Sequence, residues 1–167
     1  EDAAIQISKC LNMATIQKFE DLICWQKARR LANFIFNITD APTFKDFDLK
    51  RQIRRAAISP MSNIAEGFDR GTRAEFVDAL FIAKGEVGEA RSQLYIAYDR
   101  KYLNAPNLQE GLALTDECSR LIQSFAGKVK GGSKKGLQFK AAPKADPIKE
   151  ITREYAPEVY KRFYGEL

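Results

Sequence analysis

Apolar residues in this chain recur at helical spacing in four successive stretches. Between Phe19 and Ile38, Leu22, Trp25, Ala28, Leu31, Ala32, Ile35 and Ile38 fall on one side of a 3.6-residue period. Pro42 and the cap-type residues of "TDAPTFKDFD" end that helix. A second helix is expected from about Asp48 to Glu66, with Leu49, Ile53, Ala56, Ala57, Ile64 and Ala65 inward and Gly67 closing it. Thr72 and Glu75 then form a capping box. They open the cleanest repeat in the chain, in which Phe76, Leu80, Ala83, Val87, Ala90, Leu94 and Ala97 alternate steps of four and three. Gly85 and Gly88 interrupt this third helix, and a neighbouring backbone passing close by would account for them.

Pro106 marks the next turn. A fourth helix follows from about Asn107 to Val129, with Leu108, Leu112, Thr115, Ser119, Ile122, Ala126 and Val129 along one side. Leu114, Cys118, Leu121 and Phe125 line the adjacent side. No stretch alternates with a period of two. Four amphipathic helices with short connections predict an all-α, antiparallel up-down-up-down four-helix bundle over residues 19–130. Residues 1–18 read as an N-terminal extension, with Met13 a plausible native start. Residues 131–147 read as a basic flexible linker and residues 148–167 as a C-terminal helical tail. Ile148, Ile151, Tyr155, Val159, Tyr160, Phe163 and Tyr164 make that tail a docking peptide for its own bundle, a neighbouring subunit or another protein.

Composition narrows the chemistry. The 167 residues include no histidine, which removes the Glu-x-x-His di-iron pair, histidine-ligated zinc and imidazole triads. The three cysteines, Cys10, Cys24 and Cys118, are far apart and read as free buried thiols. No catalytic residue, metal ligand or cofactor site is assigned. No apolar run approaches the ~20 residues that span a bilayer, and no secretory leader is visible, so a cytoplasmic protein is expected.

The net charge of +5 is local. Lys128, Lys130, Lys134, Lys135, Lys140 and Lys144 lie in an acid-free run, 128–145, and the other residues sum to −1. Lys50, Arg51, Arg54 and Arg55 crowd the second helix. Lys50, Arg51 and Arg54 share a surface if Arg55 turns inward. With Lys128, Lys130, Lys134 and Lys135 they are the candidate phosphate contacts.

One polar row is out of place on a bundle helix. Gln52, Arg55, Ser59, Asn63 and Glu66 stack on one face, with Pro60 among them. One reading is a hydrogen-bonded network at a helix or subunit contact, with Glu86 and Glu89 of the third helix as partners for Arg55. Serine and asparagine would then serve the Ala56 carbonyl that Pro60 leaves without a donor. The other reading is a pocket with Glu66 as acid or base, which lacks a paired nucleophile or phosphate loop.

The segments "FEDLICWQKARRLA", "QIRRAAISPMSNIAEGFDRGTRAEFVDALFIAKGE" and "EARSQLYIAYDRKYL" resemble the bacterial ribosomal RNA intervening-sequence proteins, a four-helix bundle family. SNIAEG at Ser62–Gly67 is the most specific element. The chain departs from the pattern in having Pro60 directly after Ser59 and in its tail from Gly131 onward. The resemblance implies a non-enzymatic bundle that assembles into a ring, commonly a pentamer. A related branch, the accessory variability determinant of diversity-generating retroelements, is a basic pentamer that binds nucleic acid and a reverse transcriptase. The sequence thus suggests a homo-oligomer that binds RNA or DNA through its basic residues. The alternative is a scaffold that docks a protein partner through residues 148–167. Apolar surface beyond the needs of one core (Trp25, Phe34, Phe36, Phe81, Ile82, Tyr95 and Ile96) also points to self-association.

Overall fold

In a computed structural model, residues 16–131 and positions 157 and 161 are described. A single 3-10 turn, Phe19–Asp21, leads into four helices: α1 Ile23–Thr39, α2 Phe47–Asp69, α3 Arg73–Asp99 and α4 Ala105–Gly131. Each packs against its neighbours in the chain, and α1 closes the bundle against α4. There is no strand among the described residues.

The apolar stripes explain the packing. All seven repeat residues of α3, from Phe76 to Ala97, are buried, as are Leu22, Trp25, Ala28, Leu31, Ala32, Ile35 and Ile38 around α1. On α4 the buried line runs between the two expected sides, through Leu114, Thr115, Cys118, Ile122, Ala126 and Val129. Phe76 sits at the aromatic centre, edge-on to Phe68 and to Phe125, each 5.8 Å away.

Helix starts follow the caps in the sequence. The Asp46 carboxylate accepts from the Leu49 amide at 2.9 Å, and the Thr72 hydroxyl from the Glu75 amide at 3.3 Å. Asn104 caps α4 by accepting from the Asn107 amide at 2.9 Å, so Pro106 lies inside the first turn.

Three local expectations are corrected. Gly67 does not end α2, which continues to Asp69. It lies at the α2–α3 crossing, where a Cβ would stand 2.4 Å from Ala79 Cβ. The turn glycine is Gly71, at φ +92°. Among the described residues Gly85 and Gly88 face open space instead of a close backbone, with nothing within 4 Å of a Cβ at either. Ser62 and Asn63 donate to the carbonyls of Ile58 and Ser59, at 3.3 and 2.9 Å, and not to that of Ala56. Pro60 is buried within α2, which runs on past it to Asp69.

Up-down connectivity fixes two ends. At one end the α1–α2 and α3–α4 connections meet, with the Thr43 hydroxyl donating to the Tyr102 carbonyl at 3.3 Å and Phe44 against Tyr102 at 5.3 Å. The other end holds the α2–α3 turn, the start of α1 and the end of α4.

Candidate nucleic-acid interface

The basic residues singled out from the sequence fall at both ends. Lys50, Arg51, Arg54 and Arg55 lie near the start of α2, and Lys128 and Lys130 in the last turns of α4. At 1.5 Å per residue the two groups are separated by roughly 20 Å along the bundle. They form two patches, not one. Lys134 and Lys135 lie outside the described residues, as do Cys10 and the tail residues Ile148, Ile151 and Tyr155.

Most of the α2 cluster is already engaged. The Arg54 guanidinium donates from Nε to the Thr39 hydroxyl at 2.7 Å and also pairs with Asp40. It covers the Phe36 ring at 4.5 Å. Arg54 thus ties α2 to the last turn of α1, where a cation is favoured by the helix dipole. Lys50 lies 3.5 Å from the same Asp40 carboxylate. The Arg54 hydrogen bond, with help from Lys50, holds that carboxyl below its ordinary value. Arg51 reaches Asp48 at 3.4 Å.

Arg55, expected to turn inward, is instead exposed, because inward positions of α2 fall at Ile53, Ala56, Ala57 and Pro60. With Phe47 (76% exposed) and Ile58 it borders a shallow, mostly apolar groove that also touches Lys50, Arg51 and Arg54. Phe47 and Ile58 were absent from the sequence-based candidates. The steps of four, four and three from Phe47 through Arg51 and Arg55 to Ile58 were the available signal.

The polar row divides. Asn63 donates to Ser59 Oγ at 3.2 Å and Glu66 binds Arg70, its Nε at 3.1 Å, so both contacts stay within one turn of α2. Gln52 and Arg55 have no hydrogen bond or ion pair to Glu86 or Glu89 among the described residues. Glu89 accepts instead from Gln93 at 2.9 Å.

At the opposite end Lys128 and Lys130 are both exposed, and Lys128 borders a groove of about 300 Å³ lined by Ile16, Leu22, Ile23, Leu121, Phe125 and their neighbours. These lysines belong to the acid-free run of the sequence. Among the described residues, no group of three or more side chains is arranged to hold a metal ion. No helix there is long and apolar enough to cross a membrane. Cys118 is buried in the core, and that burial pushes its thiol up to about 12.

The sequence profile of the 23S rRNA-intervening sequence proteins matches residues 20–124, the whole of α1 to α3 and most of α4. The chain belongs to that family. Its intervening-sequence bundle is similar to the crystal structure of a protein of unknown function from the S23 ribosomal protein family of Bacteroides thetaiotaomicron. The likeness has a TM-score of 0.58 at 24% identity and covers 62% of this chain and 98% of that one. At that identity it supports the fold. No curated protein sequence matches. The portion beyond the family match carries the end of α4 and the basic run.

Proposed function

We propose that this intervening-sequence protein is a non-enzymatic, homo-oligomeric bundle that binds nucleic acid through the basic end of α4. The observation that carries the reading is the exposed pair Lys128 and Lys130, which opens an 18-residue run holding six lysines and no acid. The α2 cluster contributes less, because Asp40 engages both Lys50 and Arg54 and Asp48 engages Arg51, which offsets two of its four positive charges. The count of five subunits follows from resemblance alone.

A cyclic assembly would present every α4 end on one side. Repeated patches of modest charge then act together, and avidity exceeds the affinity of one copy. Binding of this kind releases counterions, so log K falls with log salt by roughly 0.7 per phosphate contacted on a single strand. The test is fluorescence anisotropy with a labelled RNA across a salt series. Tight binding at low salt, a steep negative slope, and loss of both in Lys128→Ala/Lys130→Ala/Lys134→Ala/Lys135→Ala are expected. No binding at low salt refutes the reading.

A further inference from the structure

Two charged rows that would complement each other stand apart within one chain. Arg51 and Arg55 lie on the outward stripe of α2, bracketed by the exposed Phe47 and Ile58. Glu86 and Glu89 lie on α3, bracketed by Phe81 and Ile82 on one side and by Tyr95 and Ile96 on the other. Those four apolar residues remain between 44% and 55% exposed in the described chain. Between them α3 is smooth, since Gly85 and Gly88 meet nothing within 4 Å.

Glycine in an exposed helix interior is unfavourable, and here no contact among the described residues explains either one. A second helix lying close across α3 would explain both. It would also cover the apolar brackets. The acidic residues beside the smooth centre select for a basic partner helix, and the α2 stripe has that pattern: apolar, basic, basic, apolar. Self-packing of α3 would instead set acidic edges against each other.

We propose that the occupant is a second copy of this chain, whose α2 stripe packs across the Gly85–Gly88 face of α3. Arg55 of one copy then faces Glu89 of the other. The proposal deepens the homo-oligomer reading given above and rests on it. It accounts for the exposure of Arg55 and for an α3 that is apolar on both sides.

The test is the solution mass of the full chain over a dilution series, by light scattering and sedimentation, with circular dichroism confirming helix content. Wild type is expected to be oligomeric. Gly88→Leu, Arg55→Glu and Glu89→Arg are each expected to remain folded and to raise the concentration at half-assembly by about tenfold or more. Arg55→Glu combined with Glu89→Arg is expected to restore assembly. A monomeric wild type overturns both this contact and the homo-oligomer reading. An oligomeric wild type whose mass is unchanged in all three single variants overturns the contact alone. So does dissociation in the single variants without recovery in the charge swap. Because a free α3 surface would tolerate leucine at position 88, an oligomer that accepts Gly88→Leu at full strength also counts against it.

Discussion

Gly67→Ala is the sharpest probe of how α2 meets α3. In most helix interiors replacing glycine by alanine stabilises by up to about 1 kcal/mol, through backbone entropy. Here the new methyl would lie 2.4 Å from Ala79 Cβ and 3.1 Å from Phe76 Cδ2. Ordinary carbon–carbon contact is about 3.5–4.0 Å, so the helices must part by roughly 1 Å. Neither neighbour can give way: Ala79 has no side-chain torsion, and Phe76 is locked between Phe68 and Phe125. Overpacking costs about 1–3 kcal/mol, and a rigid site belongs at the upper end. Subtracting the gain in helix propensity leaves a net loss of about 2 kcal/mol, or roughly 8 °C in Tm for a domain of this size. Urea unfolding followed by helical circular dichroism, at one fixed protein concentration, gives the value. Gly127→Ala is the matched control, because its Cβ meets nothing within 4 Å; it should gain up to about 1 kcal/mol. A Gly67→Ala protein as stable as wild type would refute the close crossing.

Three further outcomes follow from local geometry. Arg54→Ala should lose about 2 kcal/mol in urea unfolding, since it removes charge-assisted bonds and the cover of Phe36. Arg54→Lys should recover little, as an ammonium cannot reproduce the fork. Lys101 occupies a left-handed site, φ +59°, in the turn after α3, where the Tyr102 amide donates to Ala97 and that of Lys101 to Tyr98; Lys101→Gly should therefore stabilise by up to about 1 kcal/mol in thermal unfolding. Cys118 should make stability fall in alkali. Its thiol stays protonated in the fold up to about 12 but ionises from 9.0 once unfolded. Its contribution is therefore whole below pH 9.0 and declines by up to about 1.4 kcal/mol per pH unit above it. The stability gap between wild type and Cys118→Ala should narrow over that window, and a constant gap would contradict the burial.

The four helices and the core were legible because burial repeats at the helical period. Each buried residue of α3 sits where the four-three alternation puts it, and Thr72 caps that helix as its spacing from Glu75 requires. The site was less legible. Arg54 and Arg55 are adjacent in sequence and differ by about 100° around the helix. Which of them found a partner depended on where the end of α1 placed Thr39, Asp40 and Phe36. Of the seven apolar residues expected to be in surplus, Trp25 is buried and Phe34 and Phe36 are partly covered, whereas Phe81, Ile82, Tyr95 and Ile96 remain outside. Composition could state the excess; only packing could locate it.

Sequence alone determined the number of helices, their inward faces, the absence of histidine chemistry and the acid-free lysine run, because each depends on local spacing or on residue type. Tertiary structure decided that the basic residues form two patches at opposite ends, since an antiparallel bundle separates the start of α2 from the end of α4. It also decided the meaning of the glycines. Gly67 and Gly88 both interrupt helical periods, but a missing Cβ makes room for a neighbour only where a neighbour is packed, and that is a property of the assembled helices.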